Sequence, residues 1–582
     1  MTAQLQRRMS GSYPIQTPEY APHNDSDAST SHKIDSVAEE RPALPRALRA
    51  LRNSDNTRGH ARTVVICLDG TGDRFDNDNS NVVNFVSCLK KHTPGDQVTY
   101  YQSGIGTYGK GGLQHGIAAA MDMAVGSGLG VHVKDAYRFL MQNYREGDKI
   151  CLLGFSRGAY TVRCLAGMLH KVGLLPASNG AQVNFAYDFY KDDTKNGWKM
   201  SGEFKRTFCT DVNVHFVGLW DCVASVGLVP RKLPFSKTPT NSIRYFRHAM
   251  ALDEHRSKFK VCQWQHDNPD VKRRATIDNT PMAQFNRGLE RSGIWTLVGR
   301  KNQNTTHLDG TRAQAYKEGL ENGVSHLTAN GASKRDEEQD ILQKEFDEYD
   351  ESRQKHRKVE TDTLEVWFMG AHADIGGGAV ANETRHMLSR IPLRWMIRQC
   401  FECDTGICFD TAMLCEMGMD VHTLWPVVKP ATKPPTGPSP HLVEKYNSAA
   451  GSKKSPFPPL YRRSAFLNFQ DDNEERTVFQ HEHALAHLPE STEDHFDGLA
   501  SVNDQLILAK GWWILEFWPV KIRVLAKAGH GWEKKVRLNM GRHRAIRETE
   551  PCMHWTVERM VDERQYSVKA RMDPNTHWQV VA

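Results

Sequence analysis

No run of about 18 apolar residues occurs in the 582-residue chain, so no helix of membrane-spanning length is expected. The least polar long stretch, Gly116 to Val133, is broken by Asp122, His132 and several glycines, and reads as a core helix and loop. Residues 1–49 have no apolar h-region, so a secretory signal is not expected either. Charge of one sign is lacking: 75 Lys and Arg stand against 69 Asp and Glu, a formal net charge of +6. That balance gives no electrostatic footprint for nucleic acid. Cysteine is sparse, 12 residues spread thinly, several of them (Cys67, Cys151, Cys222) inside apolar runs. This is the usage of a reducing compartment and points to a cytoplasmic protein. Cys400, Cys403, Cys408 and Cys415 lie close together, but the first two close a helix-like run beginning at Met387. No His stands at the usual partner spacing, so no metal site is expected. Internal repeats are absent as well.

What is present is a series of short apolar runs separated by helical patterns. Thr63 to Leu68 reads as a strand ending in Asp69-Gly70-Thr71-Gly72-Asp73, followed by a helix over Asn81 to Lys91 and a strand over Gln97 to Gln102. Gly116 to Tyr144 is largely helical in pattern; Lys149 to Leu153, Val212 to Leu219 and Leu364 to Met369 read as further strands. Apolar strands alternating with helices predict an α/β protein with a mostly parallel sheet covered on both faces. Arg247 to Lys258 reads as helical.

The most informative residues are Gly154-Phe155-Ser156-Arg157-Gly158, between the strand Lys149 to Leu153 and a helical pattern from Ala159 to His170. Strand, Gly-x-Ser-x-Gly and helix together form the context of a nucleophile elbow. Gly154 and Gly158 allow a sharp turn around a strained serine. The Ser156 hydroxyl is thereby lifted to a helix N-terminus, where backbone donors favour developing negative charge. Ligands in open parallel sheets bind at the carboxyl ends of the strands. Asp69, Ser156, Asp221 and His372 all stand at such ends.

Serine needs an adjacent base, usually a histidine oriented by a carboxylate. His372 ends an apolar strand and enters the loop Ala373-Asp374-Ile375-Gly376-Gly377-Gly378, and the order Ser156, Asp221, His372 is the one used by hydrolases of this fold. His248 and His255 are the runners-up. Asp221 is the first choice of acid; Asp374 is the second, and is expected to cap the N–H groups of Ile375 to Gly377. The oxyanion donors are expected to be the N–H of Arg157 and one from the Gly70-Thr71 turn, with Asp69 fixing that turn. Gly104 to Gly109 spells a dinucleotide fingerprint. No acidic residue closes a second strand about 20 residues later, so no cofactor is expected.

Four ordered segments carry a family resemblance: Cys67 to Thr71, Gly154 to Tyr160, Val217 to Val223 and Trp367 to Gly378. They resemble the alpha/beta hydrolase domain first catalogued as a domain of unknown function. That domain is similar to the catalytic domain of the first group of type VI secretion phospholipase effectors. Arg247 to Glu254 is similar to the family's helix motif, and the resemblance runs from about Arg62 to Arg390. It implies a serine lipase with phospholipids as substrate class. Relatives often carry Trp-Asn where this chain has Gly72-Asp73, a departure that bears on the substrate entrance.

The organisation expected is a disordered tail over residues 1–58, a hydrolase domain over 59–400 with a charged insertion at about 325–360, and an extension over 401–582 packing on that domain. The function expected is ester hydrolysis through an acyl-Ser156 intermediate on a lipid or other ester. Two alternatives stand beside it: a cytosolic small-ester or thioester hydrolase, and a non-catalytic scaffold using the insertion and the tryptophan-rich segment Gly511 to Pro519. That segment carries Trp518, Lys521 and Arg523 on or beside it, residue types suited to transient contact with a membrane surface.

Overall fold

Successive residues of Thr63–Leu68 point to opposite faces of a sheet, and all six are buried. Val64, Ile66 and Leu68 enter one apolar cluster, with the helices Gly128–Asn143, Ser156–Val172 and Val183–Lys191. Val65 and Cys67 enter a second, with the helices Asn81–Ser87 and Arg390–Glu402. A strand apolar on both sides is the signature of a central parallel strand covered by helices. The computed structural model describes residues 42–54, 60–104, 128–223, 242–264, 341–342, 360–448, 455–471, 487–517, 519–526 and 531–582.

In chain order the strands are β1 (Ala47–Arg49), β2 (Thr63–Leu68), β3 (Gln97–Gln102), β4 (Lys149–Phe155), β5 (Val214–Trp220) and β6 (Ile243–Ala251). Then come β7 (Asp362–Phe368), β8 (Cys408–Asp410), β9 (Pro519–Leu525), β10 (Trp532–Leu538), β11 (Cys552–His554) and β12 (Gln579–Val581). Eight of them form one sheet in the order β12-β11-β7-β6-β5-β4-β2-β3, with every pairing parallel. The fold is α/β and hydrolase-like, as the alternation of strands and helices predicts.

Three expectations are revised. Of the stretch expected to be helical, Arg247 to Lys258, the part up to Ala251 is the C-terminal end of strand β6, between β5 and β7, and the remainder is non-helical loop. Polar residues hid the strand: Arg247 is buried and donates to Gln399 Oε1 at 2.6 Å, while His248 is fully buried between Cys222 and Glu365. The tail expected over residues 1–58 ends earlier, because β1 pairs antiparallel with β8, and Leu44, Leu48 and Ala50 are buried. Residues after 400 do more than pack on the hydrolase domain. They supply β11 and β12 to the central sheet, and residues 43–582 form one compact unit. Those two strands are three residues each and include polar side chains, too short for a periodic signal. Residues 1–41 of the tail, the start of the pattern at Gly116, the fingerprint beyond Gly104, Trp518 and nearly all of the charged insertion lie outside the described residues. Among the described residues no helix is long and apolar enough to cross a membrane.

Candidate active site

Four strand ends meet above the sheet. β4 runs directly into the helix Ser156–Val172 through a left-handed Ser156, φ 57°. The two glycines of the elbow are sterically required. A Cβ on Gly154 would lie 2.8 Å from the backbone nitrogen of Ala159, and one on Gly158 only 2.2 Å from the carbonyl oxygen of Leu68. The strand end therefore packs backbone to backbone against the first turn of the helix.

His372 opens the short helix His372–Gly376 just beyond β7. Its Nε2 lies 2.8 Å from Ser156 Oγ and its Nδ1 lies 2.5 Å from Asp221 Oδ2. A carboxylate beside Nδ1 places the ring proton there and leaves Nε2 to accept from the serine hydroxyl. The ring is held by Phe155, centroids 4.7 Å apart, and edge-on by Phe259 at 4.8 Å. Trp512 in turn packs edge-on against Phe259, and the Arg256 guanidinium sits 3.5 Å from the Phe259 ring centre. Burial pushes the His372 ring below its ordinary value, opposed by Asp221.

Asp221 is fully buried and left-handed, φ 38°. Besides the histidine it accepts from the backbone N–H of Ala251 at 3.0 Å and from both terminal nitrogens of Arg544, at 2.6 and 2.8 Å. Burial alone would raise its carboxyl; Arg544 and His372 hold it far below the usual carboxylate range. Asp374, the other acid considered, does not face the ring. Its Oδ2 accepts from Ala371 N at 2.8 Å and Asn503 N at 2.9 Å, and its Oδ1 from Asn503 Nδ2 at 2.6 Å. It thus caps backwards, towards Ala371, and not over Ile375 to Gly377 as the glycine loop suggests. Burial pushes its carboxyl up to about 6 against those bonds.

The other histidines weighed as bases are engaged elsewhere. His248 Nε2 accepts from Cys222 N at 3.0 Å while Nδ1 donates to Glu365 at 2.8 Å. His255 lies between Asp504 and the carbonyl of Gly541. On the oxyanion side, Asp69 accepts from Gly70 N at 2.8 Å, Ser80 Oγ at 2.9 Å and the Tyr101 hydroxyl at 2.8 Å. The Gly70 N–H is thereby taken up, which leaves the Thr71 N–H as the candidate donor of that turn. The Thr71 hydroxyl is buried with no partner among the described residues. Arg157 is the second residue of its helix, whose start carries no side-chain cap, so its N–H is one of the orphan donors of a first turn. Asp73 fills the space over Gly70, and burial beside Asp69 pushes its carboxyl well above the ordinary range. Cys400, Cys403 and Cys415 pack as apolar residues in the second core, burial pushing the Cys403 thiol up to about 12 and that of Cys415 to about 11.

Sequence reasoning missed Arg544, Glu254 and Phe259. Glu254 is buried, pairs with Arg256 at 2.7 Å and accepts from the backbone N–H of His372 at 3.3 Å. Nothing in one sequence links position 544 to position 221; only the sheet's completion by the C-terminal strands does.

A doubly flanked parallel sheet with these residues at its strand ends is of the alpha/beta hydrolase class. Residues 62–399, more than half of the chain, match the type VI secretion system phospholipase effector Tle1-like catalytic domain, and the chain belongs to that family. It is also similar to the uncharacterized protein YEL023C of Saccharomyces cerevisiae, 27% identical over 575 residues that cover 88% of this chain and 81% of the relative. Among solved structures, an uncharacterized protein from Pseudomonas aeruginosa matches at 12% identity over 69% of this chain and 52% of that one, with a TM-score of 0.30. The Tle1 effector bound to the VgrG spike matches at 19% identity over 35% of this chain and 47% of that one, with a TM-score of 0.21. The chain thus spans about half the length of each of those two solved chains.

Proposed function

We propose that this protein is a serine ester hydrolase of the phospholipase type, acting through an acyl-Ser156 intermediate. The observation that carries the reading is the unbroken relay Ser156 Oγ, His372 Nε2, His372 Nδ1, Asp221 Oδ2, at 2.8 and 2.5 Å. In the first half-reaction Ser156 Oγ attacks the ester carbonyl carbon and His372 Nε2 takes its proton. The carbonyl oxygen becomes an oxyanion facing the N–H of Arg157 and the Thr71 turn. When the tetrahedral adduct collapses, His372 returns that proton to the departing alcohol oxygen. A water then repeats the cycle on the acyl-enzyme and releases the free acid.

A lipid substrate is supported by two things. The family's description names a phospholipase effector. The segment that walls His372 through Trp512 and Phe259 also presents Ile507, Leu508, Ile514 and Phe517 to solvent, each more than half exposed. Apolar side chains around a site for insoluble esters favour transient contact with a membrane surface. The 12 cysteines are all unpaired and 10 are buried, which supports a cytoplasmic setting.

The test is labelling by a fluorophosphonate together with fatty-acid release from phosphatidylcholine vesicles. Labelling at Ser156 with acid release supports the reading. Labelling with hydrolysis of p-nitrophenyl acetate but not of vesicles would make it a small-ester hydrolase, and no labelling would make it a scaffold.

A further inference from the structure

Arg544 lies far outside the matched catalytic residues 62–399, yet it is buried and its guanidinium sits behind the acid. All five of its N–H groups are used. Nη1 donates to Asp221 Oδ1 at 2.6 Å and to the carbonyl of Ala251 at 3.0 Å. Nη2 donates to Asp221 Oδ2 at 2.8 Å and to the carbonyl of Phe259 at 2.5 Å, and Nε donates to the same carbonyl at 3.1 Å. A planar fork with every donor satisfied has one orientation, and a bidentate pair transmits it to the carboxylate.

We propose that Arg544 is a positioning residue for the triad acid, fixing the orientation of Asp221 and cancelling part of the charge it presents to His372. The inference rests on the triad reading of Ser156, His372 and Asp221. Oδ2 of Asp221 takes both the Arg544 and the His372 donor, so the guanidinium and any imidazolium formed in the reaction would be neighbours on one oxygen. Two effects follow. The carboxylate is kept ionised in a fully buried place, where an unpaired charge would be costly. The imidazolium is stabilised less than by a lone carboxylate, so the neutral, proton-accepting histidine persists to lower pH. The other charged groups about the ring are Glu254, which accepts from the His372 N–H, and its partner Arg256. Asp374 is turned to Ala371 and Asn503. The catalytic centre is therefore completed by the C-terminal segment that also supplies β11 and β12.

The experiment is the pH dependence of kcat/KM with p-nitrophenyl butyrate for the full-length wild type, Arg544→Met and Arg544→Lys, normalised to sites labelled by fluorophosphonate. In Arg544→Met the acid limb should move to higher pH by about one unit, the scale on which a close charge shifts a titration. Arg544→Lys keeps the charge but not the fork; its limb should stay in place while kcat falls about tenfold at unchanged KM, a loss of about 1.4 kcal/mol. A Met variant with the wild-type limb, or a Lys variant whose limb moves as far as that of Met, would overturn the proposal. If the Met variant does not fold, the Lys variant decides, and a wild-type kcat there overturns it. Absence of labelling in the wild type would count against the triad reading itself, a distinct outcome.

Discussion

Ser156 and Asp221 leave the sheet at the same register on neighbouring strands: Phe155 of β4 pairs with Trp220 of β5, and each is followed by a residue with a left-handed backbone, φ 57° and 38°. Side chains other than glycine adopt that conformation at a cost of about 1–3 kcal/mol, and it persists where surroundings over-determine it. Here both turns lift a functional group off the sheet towards His372, which comes from β7 and reaches past the intervening β6.

Ser156→Ala should abolish fluorophosphonate labelling and lower ester hydrolysis by about 10⁴-fold or more. Its melting temperature should stay close to that of the wild type, because the turn is dictated by Gly154 and Gly158. Labelling that persists at another serine would remove Ser156 from its role.

His372→Ala should cost about as much activity as Ser156→Ala, and the double mutant little more, because residues acting as one unit are strongly non-additive. His248→Ala should behave differently. It orphans the Cys222 N–H and takes from Glu365 one of its donors, leaving it the Trp264 N–H, so it should destabilise the fold by about 1–3 kcal/mol while the properly folded fraction keeps much of its kcat. A denaturant melt alongside steady-state rates separates the two effects.

The parts of this site legible in the sequence are those with local signatures. The elbow was readable from strand, glycines and helix, and His372 from its place at an apolar strand end, with a hydrogen-bond distance of 2.8 Å joining the two in space. The strand β6 was not readable, because Arg247 and His248 occupy buried positions that a periodicity argument assigns to a solvated face. The role of Gly70 was blurred for a similar reason. Which N–H of its turn is consumed depends on where the Asp69 carboxylate points, and that is fixed by Ser80 and Tyr101. Arg544 has no local pattern at all; its meaning comes from long-range packing.

Asp221→Asn should lower kcat by about 10⁴-fold, because an amide facing Nδ1 favours the wrong imidazole tautomer. Asp374→Asn should leave the chemistry largely intact and act on the loop, since its three donors come from Ala371 and Asn503. The measurement is kcat for both variants against their thermal stability. A larger kcat loss for Asp374→Asn than for Asp221→Asn would reverse the two assignments.

The pH response should separate catalysis from stability. As the proposed base His372 would act in its neutral form, and burial lowers its titration below the ordinary 6.5. The acid limb of kcat/KM should therefore lie below about 6.5, with activity lost as pH falls through it. Asp374 has the opposite sign. Its carboxyl titrates at about 6 in the folded protein, above the roughly 3.9 of an unfolded aspartate. Between those values the folded state binds the extra proton, so this residue's contribution to stability is fully present below about pH 4 and is lost as pH rises through about 6. The difference in unfolding free energy between the wild type and Asp374→Asn should accordingly grow in favour of the wild type from pH 7 to pH 4.5. Over the same interval the hydrolytic rate of both proteins should fall together along the His372 limb. A stability difference independent of pH would show that Asp374 carries no shifted proton, and a rate limb that moves with Asp374→Asn would assign that limb to the carboxyl instead of the imidazole.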